Sequence, residues 1–290
     1  MNLVIETDLG RDPDDFFAIC YFAMAGVNIR AITVSPGDQD QIAVAKFLTS
    51  SLGLNIPIGS AHPERTKSSS NEAHMKVLRK HGFPSRVPAD CRGHEAITEA
   101  IKVYPDCQLF CCGPLENVGA YIELHGCPFK QATIQGGFVG YEVHGLSCQR
   151  LEKFEGKTTV PTFNLNGDVK SALLVLQQPD LLRQFVSKNV CHTILYDRVV
   201  HKRVVESNRP GIAAKLFRSF MDSYLQSHPC KAFHDPTAAV CHLHPEIATW
   251  INGRLYRERG GWGTHLSFQT DRIIVDIDKD ALWKHIIEGN

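Results

Sequence analysis

The chain has 290 residues, with 31 basic and 31 acidic side chains and a hydrophobic content of 43%. This balance excludes the strongly basic surface typical of nucleic-acid-binding proteins, so we expect no nucleic-acid partner. The hydrophobic content also excludes a disordered chain. The sequence contains 10 cysteines, but a chain of this length buries enough surface to fold without disulfides. Buried free thiols are therefore the simplest interpretation.

The N-terminal segment enters a strand-like run at once. It lacks the basic region and long apolar stretch that are typical of a secretory signal. No apolar run in the sequence reaches the roughly 18 residues needed to span a bilayer. Free cysteines without the spacing of zinc ligands fit a reducing compartment. We therefore expect a cytoplasmic protein with no membrane partner.

Apolar strands and amphipathic helices alternate along the chain. In the first half the pattern predicts strands at 2–6, 29–34, 107–112 and 132–134, and helices at 16–25, 40–52 and 115–124. In the second half it predicts helices at 168–177, 181–188, 211–226, 234–241 and 281–287, and strands at 190–195 and 272–277. This alternation predicts an α/β fold with a single domain over 1–290. Its sheet is expected to be open, Rossmann-like and mostly parallel, with helices on both faces.

Two stretches interrupt the alternation. Residues 60–95 are polar and residues 138–161 are rich in Gly, Glu and Lys. We interpret both as loop insertions between regular elements. Long loops in compact domains are often functional, but a surface excursion without a function explains such stretches equally well.

Four aspartates follow the first predicted strand within eight residues: Asp8, Asp12, Asp14 and Asp15. Ligand sites in parallel sheets lie beyond the carboxyl ends of the strands. Carboxylates this close repel one another unless a cation compensates them, and calcium or magnesium prefers oxygen ligands. Capping of the next helix could explain Asp14 or Asp15, but it does not explain Asp8 or the whole cluster. The cluster therefore predicts a metal site.

A second candidate is the sequence His234-Asp235-Pro236, which precedes a short apolar run. By itself it is an ordinary signal for the start of a helix, and it gains weight only beside the first cluster. Asn164 is equally weak evidence when it is considered alone.

Together these segments resemble the inosine–uridine nucleoside hydrolase family. The family begins with a strand and an Asp-x-Asp-x-Gly-x-Asp-Asp motif, which stands here between Glu6 and Asp15. The resemblance continues, in the family's order, through 31–34, 37–38, 112–117, 135–137, 163–168, 234–236 and 274–278. It implies hydrolysis of the N-glycosidic bond of a ribonucleoside to ribose and free base, in nucleoside salvage. It also implies one Ca²⁺ per site and a homodimer or homotetramer.

The resemblance implies a role for each matching residue. Asp8 would be the general base and a metal ligand, and His234 would lie beside the base and could protonate the leaving group. The further metal ligands would be Asp15, Asp235 and the backbone carbonyl of Cys112. The substrate contacts would be Asp12, Asp14, Asp38, Thr162 and Asn164. Asp14 would take the ribose hydroxyls, with Asp12 as the competing assignment, and which of Asp12, Asp14 and Asp15 is a metal ligand and which a ribose contact stays open.

The sequence departs from the family at several motif positions. Glu6 stands where Asp is usual, Asp38 stands where Asn is common, and two extra residues precede the Asp14-Asp15 pair. Thr162 stands where the family commonly has a Glu that binds the sugar hydroxyls, including the 5′ side. Because Thr162 carries no charge, we hypothesise an unusual substrate, altered at the 5′ carbon or carrying a bulky modified base.

Other side chains are weaker candidates for contact with a nucleobase. His74 and His81 lie in the first insertion, and Tyr141 and His144 lie in the second. Each is more simply interpreted as a solvent-facing loop residue. Trp262 either stacks on a base or packs in the core.

Two rival functions remain to be compared with this assignment. A phosphatase of the haloacid dehalogenase type needs a nucleophilic Asp where Glu6 stands and a Thr or Val where Leu9 stands, so the sequence disfavours it. A non-catalytic nucleoside- or ribose-binding protein of the same fold stays open because of Thr162.

Overall fold

The computed structural model describes residues 1–141, 143, 150–268 and 271–289. The strands are β1 (Asn2–Thr7), β2 (Asn28–Val34), β3 (Ile58–Ser60), β4 (Cys91–Arg92), β5 (Gln108–Cys111), β6 (Gln131–Gln135), β7 (Leu182–Val186), β8 (Leu195–Asp197), β9 (Cys230–Ala232), β10 (Ala248–Glu258), β11 (Gly261–Leu266) and β12 (Arg272–Ile277). The helices are α1 (Pro13–Met24), α2 (Gln39–Ser51), α3 (Glu72–Lys80), α4 (Gly93–Val103), α5 (Glu116–His125), α6 (Phe163–Gly167), α7 (Val169–Leu176), α8 (Lys188–Cys191), α9 (Arg198–Glu206), α10 (Ile212–Tyr224), α11 (His234–Leu243) and α12 (Lys279–Ile287).

One large sheet organises the fold. Its strand order is β11-β10-β12-β7-β6-β5-β1-β2-β3-β4. Every pairing from β12 across to β4 is parallel, whereas β10 pairs antiparallel with both β12 and β11. The strands β8 and β9 form a small separate antiparallel pair. The prediction of a single-domain, mostly parallel α/β sheet is confirmed.

Helices cover both faces of this sheet. Successive side chains of a strand point to opposite faces, and in β1 Leu3 and Ile5 join one core cluster whereas Val4 joins the other. The first cluster contains the buried faces of α1, α2, α10, α11 and α12, and the second contains those of α4, α5 and α7. The expected helices on both faces are therefore present.

The strand order reverses between β1 and β5. From β1 the chain builds outward through β2, β3 and β4, and it then returns to place β5 on the other side of β1. The loops after β1 and β5 diverge at such a point and leave a crevice at the carboxyl ends of the strands. Asp8 directly follows β1 and Cys112 directly follows β5. The topology therefore brings these two predicted ligands to one place.

Two predictions between residues 181 and 195 are wrong. The segment predicted as a helix at 181–188 is the strand β7. Its sequence does not look like a buried strand because it contains Arg183, which lies inside the sheet and pairs with the buried Asp271 at 2.6 Å. The predicted strand at 190–195 begins as the helix α8, since the amides of Val190 and Cys191 donate back to the carbonyl of Ser187. Its apolar residues are buried by tertiary packing, not by strand pairing.

The first predicted insertion is largely regular. It contains α3, β4 and the first residues of α4. His74 is buried and its ring lies 4.9 Å from that of Phe220, and His81 packs 5.1 Å from Phe47. In the second insertion the hydroxyl of Tyr141 accepts a hydrogen bond from the backbone amide of Leu151 at 2.6 Å. His144 lies outside the described residues.

The hairpin of β10 and β11 was not predicted. Its signal is nevertheless present, because Ile251, Gly253 and Leu255 alternate with exposed residues along β10. Trp262 on β11 is fully buried, and its Nε1 donates to Asn166 Oδ1 at 2.9 Å. Of the two interpretations of Trp262, core packing is the one that the structure shows.

The cysteines of the described ranges are free thiols, and Cys20, Cys107, Cys111 and Cys112 are buried, as the sequence predicted. Cys148 lies outside those ranges. Among the described residues, none of the helices combines the length and the hydropathy required to cross a bilayer.

Candidate active site

A cavity of about 390 Å³ lies in the crevice at the carboxyl ends of the central strands. Three of its wall residues directly follow or end a strand: Asp8 after β1, Cys112 after β5 and Gln135 at the end of β6. The complete lining is Asp8, Arg11, Asp12, Asp14, Asp15, Cys112, Gln135, Thr162, Phe163, Asn164, Lys188, His192, His234 and Asp235.

The cavity collects every residue predicted for the site except Asp38. In particular, Asp8 and Asp235, which are far apart in the sequence, line the same space. Asp38 is instead the N-cap of α2, where its Oδ1 accepts from the amides of Asp40 and Gln41 at 3.1 and 3.2 Å. Its Oδ2 accepts from the amide of Ser69 at 2.7 Å. Both oxygens are therefore bound to backbone, which leaves the predicted substrate contact without support.

Two helix N-termini present the acidic side chains. Asp14 and Asp15 lie in the first turn of α1, and Asp235 lies in the first turn of α11. One carboxylate oxygen of each lies within 4.8 Å of the others. Asp15 Oδ1 is held by the hydroxyl of Thr7 and by the backbone amide of Asp8 at 3.2 Å. The positive ends of both helix dipoles favour negative charge at this position.

The electrostatics of this cluster call for a cation. Burial, and then the charge of Asp14, raise the pKa of Asp8 to about 7. Burial and the neighbouring carboxylates likewise raise the pKa values of Asp15 and Asp235 well above the usual range. A divalent ion with oxygen ligands removes this repulsion, so the residues present fit a divalent cation.

Lys231 on β9 is a counter-charge that the sequence did not reveal. Its ammonium lies 2.6 Å from Asp12 Oδ2 and 3.3 Å from Asp14 Oδ1. One lysine facing this many carboxylates compensates only part of their charge. Asp12 is half exposed, with 52% of its side chain accessible, whereas Asp14 is buried. Asp12 is therefore the outer member of the cluster.

A chain of hydrogen bonds runs behind the cavity from Asn164 to His234. Asn164 Nδ2 donates to Gln135 Oε1 at 2.8 Å, and Gln135 Nε2 donates to Cys191 Sγ at 3.4 Å. Cys191 Sγ lies 3.3 Å from His234 Nδ1. Of these four residues, Cys191 is the one that does not line the cavity.

The direction of the bonds that join Asn164, Gln135 and Cys191 follows from the side-chain amide of Asn164. Asn164 Nδ2 also lies 3.1 Å from the carbonyl oxygen of Gln135, which can only accept, so this atom is the amide nitrogen. Gln135 must then accept through Oε1 and donate through Nε2 to the sulfur. Burial raises the pKa of the Cys191 thiol to about 12, so the thiol keeps its proton and its contact with His234 Nδ1 joins two neutral groups.

The imidazole of His234 is neutral in this environment. Burial, and then the charge of Lys231, lower its pKa to about 3. Burial, and then His234, lower the pKa of His192 to about 3 as well, and the two rings lie 4.5 Å apart. At neutral pH His234 is therefore a donor of one N–H hydrogen bond and not an imidazolium.

Glu6 lies behind the cavity and is not part of its lining. Its carboxylate accepts from Ser35 Oγ at 2.8 Å, from Asn117 Nδ2 at 3.0 Å and from the hydroxyl of Thr33. Burial raises its pKa to about 8, against the effect of these donors. The longer side chain at this motif position therefore binds β2 and α5, and it does not enter the carboxylate cluster.

Several lining residues were missed by sequence reasoning. Gln135 had a usable signal, since it is a polar residue at the end of a predicted strand. Lys188 and His192 had none, because the elements around them were predicted wrongly. The loop candidates His74, His81 and Tyr141 do not contribute to the cavity as described.

Comparison with known proteins identifies the family of this chain. The sequence profile of the inosine-uridine preferring nucleoside hydrolase family matches residues 3–284. The chain belongs to this family. As a member it is an enzyme, an N-ribosyl hydrolase that cleaves the N-glycosidic bond of nucleosides. Divalent metal binding is general in the family, and the aspartate cluster offers a possible site for it.

Individual relatives are distant in sequence but similar over their full length. A protein of Aquifex aeolicus (strain VF5), described only as uncharacterized, is 26% identical over 283 residues, which cover 91% of this chain and 90% of the relative. A plant nucleoside hydrolase has a TM-score of 0.75 at 17% identity, covering 99% of this chain and 98% of that structure. An inosine-guanosine nucleoside hydrolase has a TM-score of 0.72 at 17% identity, covering 99% of this chain and 97% of that structure. The two structures support the fold.

Proposed function

We propose that this nucleoside hydrolase depends on calcium and acts on a ribonucleoside altered at the 5′ carbon or in the base. The observation that carries the metal requirement is the convergence of Asp14, Asp15 and Asp235, with oxygens within 4.8 Å of one another in a buried setting. The observation that supports the altered substrate is the neutral Thr162 in the cavity wall.

The proposed ligands of the ion are the carboxylates of Asp8, Asp15 and Asp235 and the carbonyl of Cys112. All four residues line the cavity, and oxygen donors of this kind suit calcium. A bound calcium ion would lower the pKa of a water molecule and help to hold the ribose hydroxyls. Asp14 is the proposed ribose contact because it is buried at the cavity wall, whereas Asp12 is half exposed at its rim.

Asp8 is the proposed general base. It directly follows β1 and lines the cavity beside Asp14 and Asp15, where a carboxylate can accept a proton from a bound water molecule. The carboxylate accepts a proton from the attacking water as the bond to the base breaks. The negative charge of the cluster also stabilises the positive charge that develops on the sugar ring.

His234 is the proposed partner of the leaving base. Its Nε2–H, fixed by the bond between Nδ1 and Cys191, donates a hydrogen bond to a nitrogen or oxygen of the base. This donation stabilises negative charge on the base as the N-glycosidic bond breaks. Asn164, held by Gln135, is the proposed contact to the ribose and is fixed by the same chain of bonds.

A panel of ribonucleosides, scored for free base and for reducing sugar, tests the function. The panel includes natural nucleosides, 5′-altered nucleosides and nucleosides with modified bases, each measured with calcium and with chelator. We expect release of base from an altered nucleoside only with calcium. Equal turnover with chelator, or turnover of inosine and uridine at rates typical of the family, contradicts the proposal.

Asp8→Asn is the matched variant for this panel, and Asp38→Asn is its control. Asp8→Asn should lower kcat by about a hundredfold to ten-thousandfold. Asp38→Asn should retain most of the activity, because the Asn oxygen still caps α2 and the lost bond is to the amide of Ser69, a residue that does not line the cavity. A comparable loss in both variants would restore the role of Asp38 at the substrate. Binding without release of base would favour a non-catalytic binding protein.

We further propose a cytoplasmic enzyme of nucleoside salvage that forms a dimer or a tetramer. The family resemblance supports these properties. Light scattering of the purified protein measures the oligomeric state directly, and a monomer at micromolar concentration contradicts that part of the proposal.

A further inference from the structure

One part of the cavity wall differs in charge from the carboxylate cluster. It is formed by Arg11, Thr162, Phe163 and Lys188, and we call it the cationic wall. Within the described residues, neither Arg11 nor Lys188 forms an ion pair with a carboxylate. Arg11 is exposed and Lys188 is half-buried, and both line the cavity where a bound molecule can meet them.

Lys188 is held at this wall by neutral groups. Its ammonium donates to the carbonyl of Pro161 at 2.9 Å, which places it beside the backbone of Thr162. Its pKa is lowered by burial and by the positive charges of Lys153 and Lys157, although Cys191 acts in the opposite direction. The fold has therefore brought Lys188 into a positively charged environment at the cavity.

Arg11 contacts the residue that follows Thr162 in the sequence. Its guanidinium stacks over the ring of Phe163, with 4.5 Å between its central carbon and the ring centroid. This stacking fixes the plane of the guanidinium but leaves its N–H donors to other partners. Arg11 also lowers the pKa of Asp8, although burial and Asp14 act on that carboxyl more strongly in the opposite direction. Arg11 therefore lies within electrostatic reach of the reaction centre.

Thr162, whose neighbours Pro161 and Phe163 contact these two cations, has an unmet hydrogen-bonding capacity. Its side chain is 1% exposed, and its Oγ1 has no hydrogen-bond partner among the residues that the structure describes. A buried hydroxyl without a partner is costly, and ligand atoms commonly supply the missing bond. Thr162 is one of the residues that line the cavity, so its hydroxyl is a candidate partner for a bound molecule.

We propose that the substrate is an anionic nucleoside, whose phosphate on the 5′ carbon or carboxylate on the base is bound by Lys188, Arg11 and Thr162. The inference rests on the proposed function and defines its substrate class. An oxyanion accepts charge-assisted hydrogen bonds from an ammonium and a guanidinium and a further bond from a hydroxyl. A neutral nucleoside would leave both cations unpaired beside the sugar and the base.

Hydrolysis of matched substrate pairs tests the proposal. The effect of a 5′-phosphate is tested by comparing inosine with inosine 5′-monophosphate and uridine with uridine 5′-monophosphate. A 5′-deoxynucleoside separates the charge from the mere absence of a hydroxyl. The effect of an anionic base is tested by comparing uridine with uridine 6-carboxylate. We expect kcat/KM for one class of anion to exceed that for its neutral parent by about tenfold to a hundredfold.

Charge variants identify the residues responsible. Lys188→Gln and Arg11→Gln should each lower the anion-to-neutral ratio of kcat/KM by about tenfold. Lys202→Gln is the matched control, because it removes the same charge from an exposed lysine on α9 that pairs with Glu206. This control should leave the ratio unchanged. High salt should lower the ratio of the native enzyme.

Calorimetric binding separates failure of this inference from failure of the proposed function. In His234→Gln with calcium, which keeps every proposed metal ligand and slows turnover, the preferred anion should bind at least about tenfold more tightly than its neutral parent, and Lys188→Gln in the same protein should remove the difference. If neutral nucleosides are cleaved by the native enzyme and bind as tightly as the anions, the inference is overturned and the hydrolase is left intact. If anions bind more tightly but the native enzyme cleaves none of the nucleosides, the hydrolase is overturned and the inference is left intact.

Discussion

The carboxylate cluster and the cationic wall share one cavity but are built differently. The cluster lies at the starts of two helices, and its members Asp14, Asp15 and Asp235 are buried and close together. The cationic wall comes from loops and short elements, and Phe163 in it is 50% exposed. Chemistry that needs fixed geometry suits the first region, and selection among substrates suits the second.

The comparison teaches how this fold divides the two tasks. The cluster stands where β1 and β5 diverge, a position set by the sheet topology. The cationic wall depends on side chains that no topological rule requires, so it can differ between relatives that share the fold. Perturbing the first region should abolish turnover, whereas perturbing the second should change which substrate is preferred.

The largest effect is expected for Asp235→Asn. Loss of this carboxylate should lower kcat by about a thousandfold or more, because a catalytic metal ion contributes several kcal/mol. It should also remove the stabilisation by calcium, which for the native protein is about 2.7 kcal/mol at a hundredfold excess over Kd. Steady-state kinetics and thermal unfolding with and without calcium measure both. Asp197→Asn, at the N-cap of α9, is the control, and calcium stabilisation that survives in Asp235→Asn would refute the ligand assignment.

The next effect separates two neighbouring imidazoles. His234→Gln should lower kcat by about a hundredfold, within the range of general acid and base groups. His192→Gln, on a ring only 4.5 Å away, should lower it by less than about tenfold. Initial rates at saturating substrate provide the measurement. If the two variants lose activity equally, His234 is not the specific donor to the base.

A smaller effect is expected from the thiol behind the cavity. Cys191→Ala removes the donor that fixes His234 Nδ1, so kcat should fall by about tenfold with little change in KM. Cys191→Ser keeps a donor and should recover part of this loss. Cys107→Ala is a suitable control because its thiol is buried in the core on the opposite face of the sheet. A change confined to KM would contradict the positioning role.

The smallest effect concerns the ring under Arg11. Phe163→Ala removes a cation–π contact of about 0.5–1 kcal/mol, so KM should rise by about twofold to fivefold while kcat changes little. Phe268→Ala is the control, since this aromatic ring is fully exposed and does not line the cavity. A large fall in kcat in Phe163→Ala would show that this residue contributes to the chemical step and not only to substrate binding.

Much of the carboxylate cluster could be predicted from sequence. Asp8, Asp14 and Asp15 are separated by only a few residues, so a strand followed by a helix brings them together in any α/β fold. Asp235 is different, because its own local pattern indicates only the start of a helix. Its place in the cluster rested on the family resemblance, and the structure brings it to Asp15 through the packing of α11 beside α1.

The sequence by itself determined the parallel sheet, its helices on both faces and the acidic loop after β1, because periodicity and neighbouring residues are local properties. Only the tertiary structure decided which polar groups face the cavity. It bound both oxygens of Asp38 to backbone amides, buried Trp262 in the core, and brought Lys188 and Lys231 to the cavity region. The physical reason is that a polar side chain takes its role from its partners in space, and distant parts of the chain supply those partners.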